Sequence, residues 1–97
     1  MALEWTDTAL DDVKALRDYI GKDSPHYARQ FVERIFEIVE QLEEQPRMGR
    51  RVPEARRDDI RELIFQDYRI VYRTQPDRVQ VITVIHGSRM LRAGQFE

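Results

Sequence analysis

The spacing of apolar residues changes once along this chain from a helical period to a strand period, and that change restricts the fold more than any single motif does. Ala9, Val13, Leu16 and Ile20 follow at intervals of four, three and four. Ala28, Phe31, Val32, Ile35, Val39 and Leu42 repeat the pattern. Such stripes predict two helices, each with one apolar face. After residue 59 the period drops to two: Tyr68, Ile70 and Tyr72 alternate with Arg69, Val71 and Arg73. Strands with one buried face read this way.

The boundaries agree with the periods. Thr6 or Thr8 supplies an N-cap, with Asp7, Asp11 and Asp12 near the positive end of the helix dipole, and Gly21 is a stop. Ser24-Pro25 starts the second helix, because proline in its first turn forfeits no hydrogen bond. Pro46 ends it, giving a helix of about 20 residues, ~30 Å long. The few residues around Lys22-Asp23 predict an antiparallel hairpin. Tyr27, Phe36 and Ile38 fall partly off the stripe, so this helix is apolar over a wider arc than one packing face needs. Residues 46–59 contain two Pro, one Gly and five Arg without a period, and read as an irregular surface connector. Strands follow at Ile60 to Phe65, Tyr68 to Thr74 and Val79 to Ile85, separated by turns at Gln66-Asp67 and Gln75-Pro76-Asp77. The last is the most β-branched stretch, as a central strand requires. Ala2 to Trp5 reads as a short strand that must join the sheet at an edge or beside the last strand. Residues 88–97 form a tail containing Met90, Leu91 and Phe96. The expected fold class is α+β: an N-terminal strand, a helix hairpin and a three-stranded antiparallel meander, in one domain spanning 1–97.

Composition removes whole classes of function. There is no cysteine, which excludes disulfides, thiolate zinc sites and cysteine nucleophiles, and fits a cytoplasmic location. No apolar run approaches the ~20 residues of a membrane span, and five acidic groups in residues 1–20 argue against a signal peptide. No metal or cofactor is expected, because no His pair has ligand spacing and no glycine-rich phosphate loop is present. The charge is uneven. Residues 1–45 hold eleven Asp/Glu against five Lys/Arg, whereas residues 46–97 hold seven against eleven Arg. An Arg-rich half suggests a partner bearing carboxylates or phosphates, unless these residues are ordinary solvated surface.

What chemistry remains is a set of Arg with one His. Arg69 and Arg73 share a strand face, and His86 and Arg89 lie just beyond the neighbouring strand. Arg69, His86 and Arg89 could surround a phosphodiester, Arg stabilising charge on the phosphate oxygens and His moving a proton. Equally, Arg69 could be an exposed cross-strand neighbour of Glu62 and His86 a strand-end residue satisfied by backbone. Ser24 is explained as a cap, which leaves no serine triad.

Leu42-Glu43-Glu44-Gln45-Pro46-Arg47-Met48-Gly49-Arg50, then Ile60-Arg61-Glu62-Leu63, then Tyr68-Arg69-Ile70-Val71-Tyr72, then His86-Gly87-Ser88-Arg89, occur in this order. Together they resemble the RelE/ParE superfamily of toxins from bacterial type II toxin–antitoxin modules, over nearly the whole chain. The resemblance implies the superfamily's two-layer fold and one of two activities. RelE-like members cut mRNA in the ribosomal A site; ParE-like members poison DNA gyrase without chemistry of their own. Arg69 matches a catalytic position of the ribonuclease branch, His86 a strand-end His used by some of its members, and Arg89 falls near a second catalytic Arg. The paired Lys of RelE ahead of the meander are replaced by Arg50 and Arg51. No Tyr follows Arg89, and Glu54 lies near the position of a Glu that some His-using relatives supply. A sequence pI near 5.7 suits a protein target better than ribosomal RNA. The resemblance therefore favours the ParE-like branch.

The partners implied are a cognate antitoxin, with gyrase as target and ribosome-bound mRNA as the alternative. Membrane association and sequence-specific DNA binding by the chain alone are not expected. A non-toxic, antitoxin-binding module is a third reading. Arg50, Arg51, Arg56, Arg57 and Arg61 are the candidates for target contact. Phe36, Ile38 and Arg73 are the candidates for antitoxin contact, with packing of Phe36 and Ile38 under the connector as the alternative.

Overall fold

A computed structural model describes residues 1–96. Thr6 caps the first helix: its Oγ1 accepts the Ala9 N–H at 3.1 Å and donates to the Ile82 carbonyl at 2.9 Å. One hydroxyl thus starts helix α1, Asp7–Gly21, and fastens it to the sheet. Ser24 Oγ accepts the Tyr27 N–H at 3.2 Å and opens α2, Pro25–Glu40. The α-helix is shorter than the spacing predicts. Its apolar stripe continues through a 3-10 turn at Gln41–Glu43 that buries Leu42.

The strands are β1 (Ala2–Trp5), β2 (Arg50–Arg51), β3 (Ile60–Phe65), β4 (Tyr68–Thr74) and β5 (Arg78–His86). They form one sheet in the order β1-β5-β4-β3-β2. The meander is antiparallel, and β1 lies at an edge, parallel to β5, meeting both sequence expectations for it. Residues 46–59 are not wholly irregular. Arg50 and Arg51 pair with Glu62 and Arg61, adding a strand that two exposed polar residues could not announce. The turn at Gln66-Asp67 has Gln66 in the left-handed region at φ 53°.

The sheet's faces differ. Ile70, Tyr72, Val79, Val81 and Val84 pack with Ala9, Val13, Phe31, Ile35 and Val39 of the helices. The opposite face buries Val71, Ile82 and Ile85 beneath Val52 of the connector and Leu91 and Phe96 of the tail. A shift in the β4–β5 register beside Val71/Tyr72 explains how Val81 and Val84, an odd number apart, both reach the helices. Phe36 and Ile38 pack against the helix-side core, Phe36 with its ring 4.8 Å from that of Trp5. No helix is long and apolar enough to cross a membrane.

Candidate functional site

The site is built where the connector and the tail meet the outer face of β3 and β4. Gly49 fixes its first corner. The Gly49 N–H donates to Tyr72 Oη at 2.9 Å, and a Cβ at this position would lie 2.6 Å from that oxygen and 2.7 Å from the Glu62 carbonyl. Only glycine lets the connector approach so closely. The next residue, Arg50, then stands opposite Glu62.

Glu62 is 1% exposed and holds two guanidinium groups. Oε2 accepts from Arg50 Nε at 2.6 Å, and Oε1 accepts from Arg69 Nε. Arg69 is itself buried, at 6%. Its Nη1 and Nη2 form a two-pronged contact with Glu54 at 2.7 and 2.9 Å, and Nη1 also donates to the Arg89 carbonyl at 3.0 Å. Four of the roughly five N–H groups of this guanidinium are therefore engaged. Glu54 also accepts the Leu91 N–H at 3.0 Å, which ties the tail to the network. Hydrogen bonds from Arg69 outweigh burial and hold the Glu54 carboxyl down to about 2. The same contacts, Glu54 first, push Arg69 above its ordinary range. Arg69 is thus no exposed neighbour of Glu62. It pairs across the ladder with Ile64, while Glu62 faces Val71, and the two side chains meet diagonally on one buried face.

A cleft of ≈ 720 Å³ opens beside this network. Arg50, Glu54, Arg69, His86 and Arg89 line it, so the three residues suggested for phosphodiester chemistry do converge. His86 is exposed; its Nδ1 accepts the Ser88 N–H at 3.1 Å and lies 2.7 Å from Ser88 Oγ. A neutral ring held in this way carries its proton on Nε2. The arrangement offers two exposed guanidinium groups, those of Arg50 and Arg89, and one imidazole. A carboxyl held near 2 is a weak proton acceptor at neutral pH, so Glu54 serves Arg69 better than it would serve a substrate.

The other candidate residues are distributed differently. Arg61 is held inside the connector, donating to the carbonyls of Gly49 and Asp58 and to Asp58 Oδ1. Arg57 pairs with Asp59. Arg50, Arg51 and Arg56 are exposed, Arg56 at φ 53°. Arg73 holds the tail: its Nη2 donates to the Phe96 carbonyl at 2.7 Å. Phe36 and Ile38 lie on the helix side, away from the connector. Among the described residues no group of three or more His, Asp or Glu could hold a metal ion. The roles of Glu62 and Gly49 escaped the sequence reading. Neither has a local signature: Gly49 acts through Tyr72, 23 positions away, and Glu62 through a diagonal neighbour on the next strand.

A family model described as the ParE toxin of the type II toxin–antitoxin system parDE matches residues 3–91. The chain belongs to this family. Toxin RelE2 of Caulobacter vibrioides is 31% identical over 86 residues, covering 89% of this chain and 94% of the relative. The solved chromosomal ParDE system from P. aeruginosa is 25% identical with a TM-score of 0.74, covering 89% of this chain and 95% of that one. The RelBE2 complex of Mycobacterium tuberculosis, 24% identical with a TM-score of 0.56, covers 88% and 95% and shares the fold. The protein is a toxin of a type II toxin–antitoxin system. Both the ParE and RelE names occur among its relatives, as the sequence resemblance implies.

Proposed function

We propose that this ParE-family toxin arrests growth by binding its target, with DNA gyrase as that target, and that it performs no chemistry itself. One observation carries this reading: Arg69 is buried and its guanidinium is committed to Glu54 and Glu62. A transition-state stabiliser has to turn N–H groups toward developing charge, and Arg69 turns them toward carboxylates of its own chain. The toxin acts in the cytoplasm and is neutralised there by a cognate antitoxin, a partner class named in both structural neighbours. The test is gyrase supercoiling with purified protein. Inhibition that rises with toxin, with cleaved DNA accumulating, is expected; undisturbed supercoiling at excess toxin would sink the reading.

The second reading is ribosome-dependent mRNA cleavage, favoured by the convergence of His86, Arg89 and Arg50 on one cleft. Primer extension in a translating extract separates the two. Codon-spaced cuts that vanish in an Arg89→Ala/His86→Ala variant would establish cleavage in place of gyrase binding. Growth unimpaired by induction without the antitoxin would instead support the non-toxic module.

A further inference from the structure

Two guanidinium groups on the cleft differ from those locked beneath it. Arg50 gives its Nε to buried Glu62, yet its side chain is 64% exposed and, among the described residues, its terminal nitrogens have no hydrogen-bond partner. An exposed Arg pinned from below has already surrendered part of its freedom, so a ligand loses less entropy in fixing it. Arg89 is held through its backbone instead. Its N–H donates to the His86 carbonyl at 3.0 Å, and its own carbonyl accepts from Arg69 at 3.0 Å. Its side chain is left to solvent. Ile64 at 54% exposure and Met90 at 76% line the same cleft. Large apolar side chains beside oriented guanidinium groups are the composition of a protein-binding surface.

The balance of charge decides what such a surface takes. Arg50, Arg69 and Arg89 line the cleft together with Glu54 and Asp67, and Glu62 lies buried beneath. The local field is nearly neutral, and the whole chain carries −2. A polynucleotide gains affinity by having many phosphates neutralised, and it has no use for Ile64 or Met90. Carboxylates accept the two-pronged arginine contact one at a time, and an adjoining apolar side chain can fill the patch.

We propose that this cleft is where the toxin grips its protein target, and that its occupant is a short acidic segment of that target. Two carboxylates sit on Arg50 and Arg89, and an apolar residue between them packs on Ile64 and Met90. The assignment rests on the target-binding reading above and gives it a contact surface.

The probe is a short peptide of alternating Glu and Leu, titrated into isotopically labelled full-length toxin and followed by NMR. Saturable shifts at Arg50, Ile64, Ser88, Arg89 and Met90 are expected. Arg89→Glu should weaken binding by about tenfold or more, as loss of an interfacial charge pair does. Arg34→Glu, a distant reversal on α2, should bind like wild type. Arg50→Gln, which spares the Arg69–Glu62 pair, serves as a second variant should its neighbour disturb the fold. Shifts confined to the helices, unchanged binding in both Arg variants, or tighter occupancy by a single-stranded RNA oligonucleotide would overturn the proposal. Gyrase assays separate the two claims. Equal gyrase inhibition by wild type and Arg89→Glu overturns the cleft and spares the gyrase reading. A toxin that seats the peptide but ignores gyrase supports the cleft and removes gyrase as its target.

Discussion

Arg69 occupies the position at which the resemblance implies chemistry, and its surroundings give it a mechanical task. Glu62 is 1% exposed, and Glu54 keeps only 12% of its side chain in solvent. Removing one partner of a buried pair costs about 3–5 kcal/mol because the remaining charge stays out of water. Arg69→Met should therefore lower unfolding stability by about 3 kcal/mol, the lower figure reflecting the contact Arg50 keeps with Glu62. Urea denaturation measures it; a variant as stable as wild type but inactive would mark Arg69 as a catalytic group instead. Acid probes the same pair. The folded Glu54 carboxyl sits near 2, below its ordinary 4.5, so the folded state favours the ionised form. Its contribution is complete above about 4.5 and is lost as pH falls from there toward 2; counted for partial exposure, it is about 2 kcal/mol. Melting temperature should fall over that window, and Glu54→Gln should lower the plateau and flatten the slope. Some slope should persist, because Arg47 and Arg57 also hold Asp58 and Asp59 below their usual range. Arg69 and Glu62 were both visible in the sequence. Their being cross-strand neighbours was legible too, but the burial of the pair and the part of Glu54 were not, since an alternating pattern tells which residues share a face and not what the connector and tail lay over it.

Helices and strands were read from spacing wherever one face was buried and the other wet. Thr6 and Ser24, the two caps, also sat where their residue types placed them. Spacing was silent in two places. Residues 81–85 are apolar or β-branched without a polar marker, so the register shift that turns both Val81 and Val84 toward the helices left no trace. The tail was unreadable for another reason: Leu91 and Phe96 are isolated apolar residues, and their burial depends on a sheet face that exists only after folding. The tail is therefore a cover and not an appendage. Glu54 holds Leu91 N–H, and Arg73 holds the Phe96 carbonyl. Ending the chain after Met90 would uncover Ile82 and Ile85 and free Arg73. Fully burying a Leu or Phe side chain is worth about 1.5–3 kcal/mol, so the truncation should cost about 3–6 kcal/mol. Calorimetry of the truncated chain checks this, and an unchanged melting temperature would show that the tail contributes nothing to the native state.

Across the whole molecule, charge is sorted by layer. The segment that supplies β1 and both helices carries eleven acidic against five basic residues, while the segment that supplies the rest of the sheet, the connector and the tail carries seven against eleven. This imbalance was plain in the sequence, but its meaning depended on topology. β2 and the turn after β5 bring Arg50 and Arg89 to one cleft, whereas Arg61 and Arg69 of the same segment are consumed internally. Arg50 and Arg89 are left to a partner on the same cleft. An antitoxin that is acidic where it meets this face should associate faster at low salt, and its on-rate should fall as ionic strength rises. Binding must also raise stability, because only the folded toxin offers the assembled surface the antitoxin binds. At a free antitoxin concentration of about 1,000 Kd the gain is about 4 kcal/mol, which for a chain of about this size corresponds to a rise of roughly 15–30 °C at 4–8 °C per kcal/mol. The melting temperature should climb with antitoxin concentration and not level off at the stoichiometric point. Identical melting of the free and bound toxin at every concentration would mean that the antitoxin does not discriminate folded from unfolded chain.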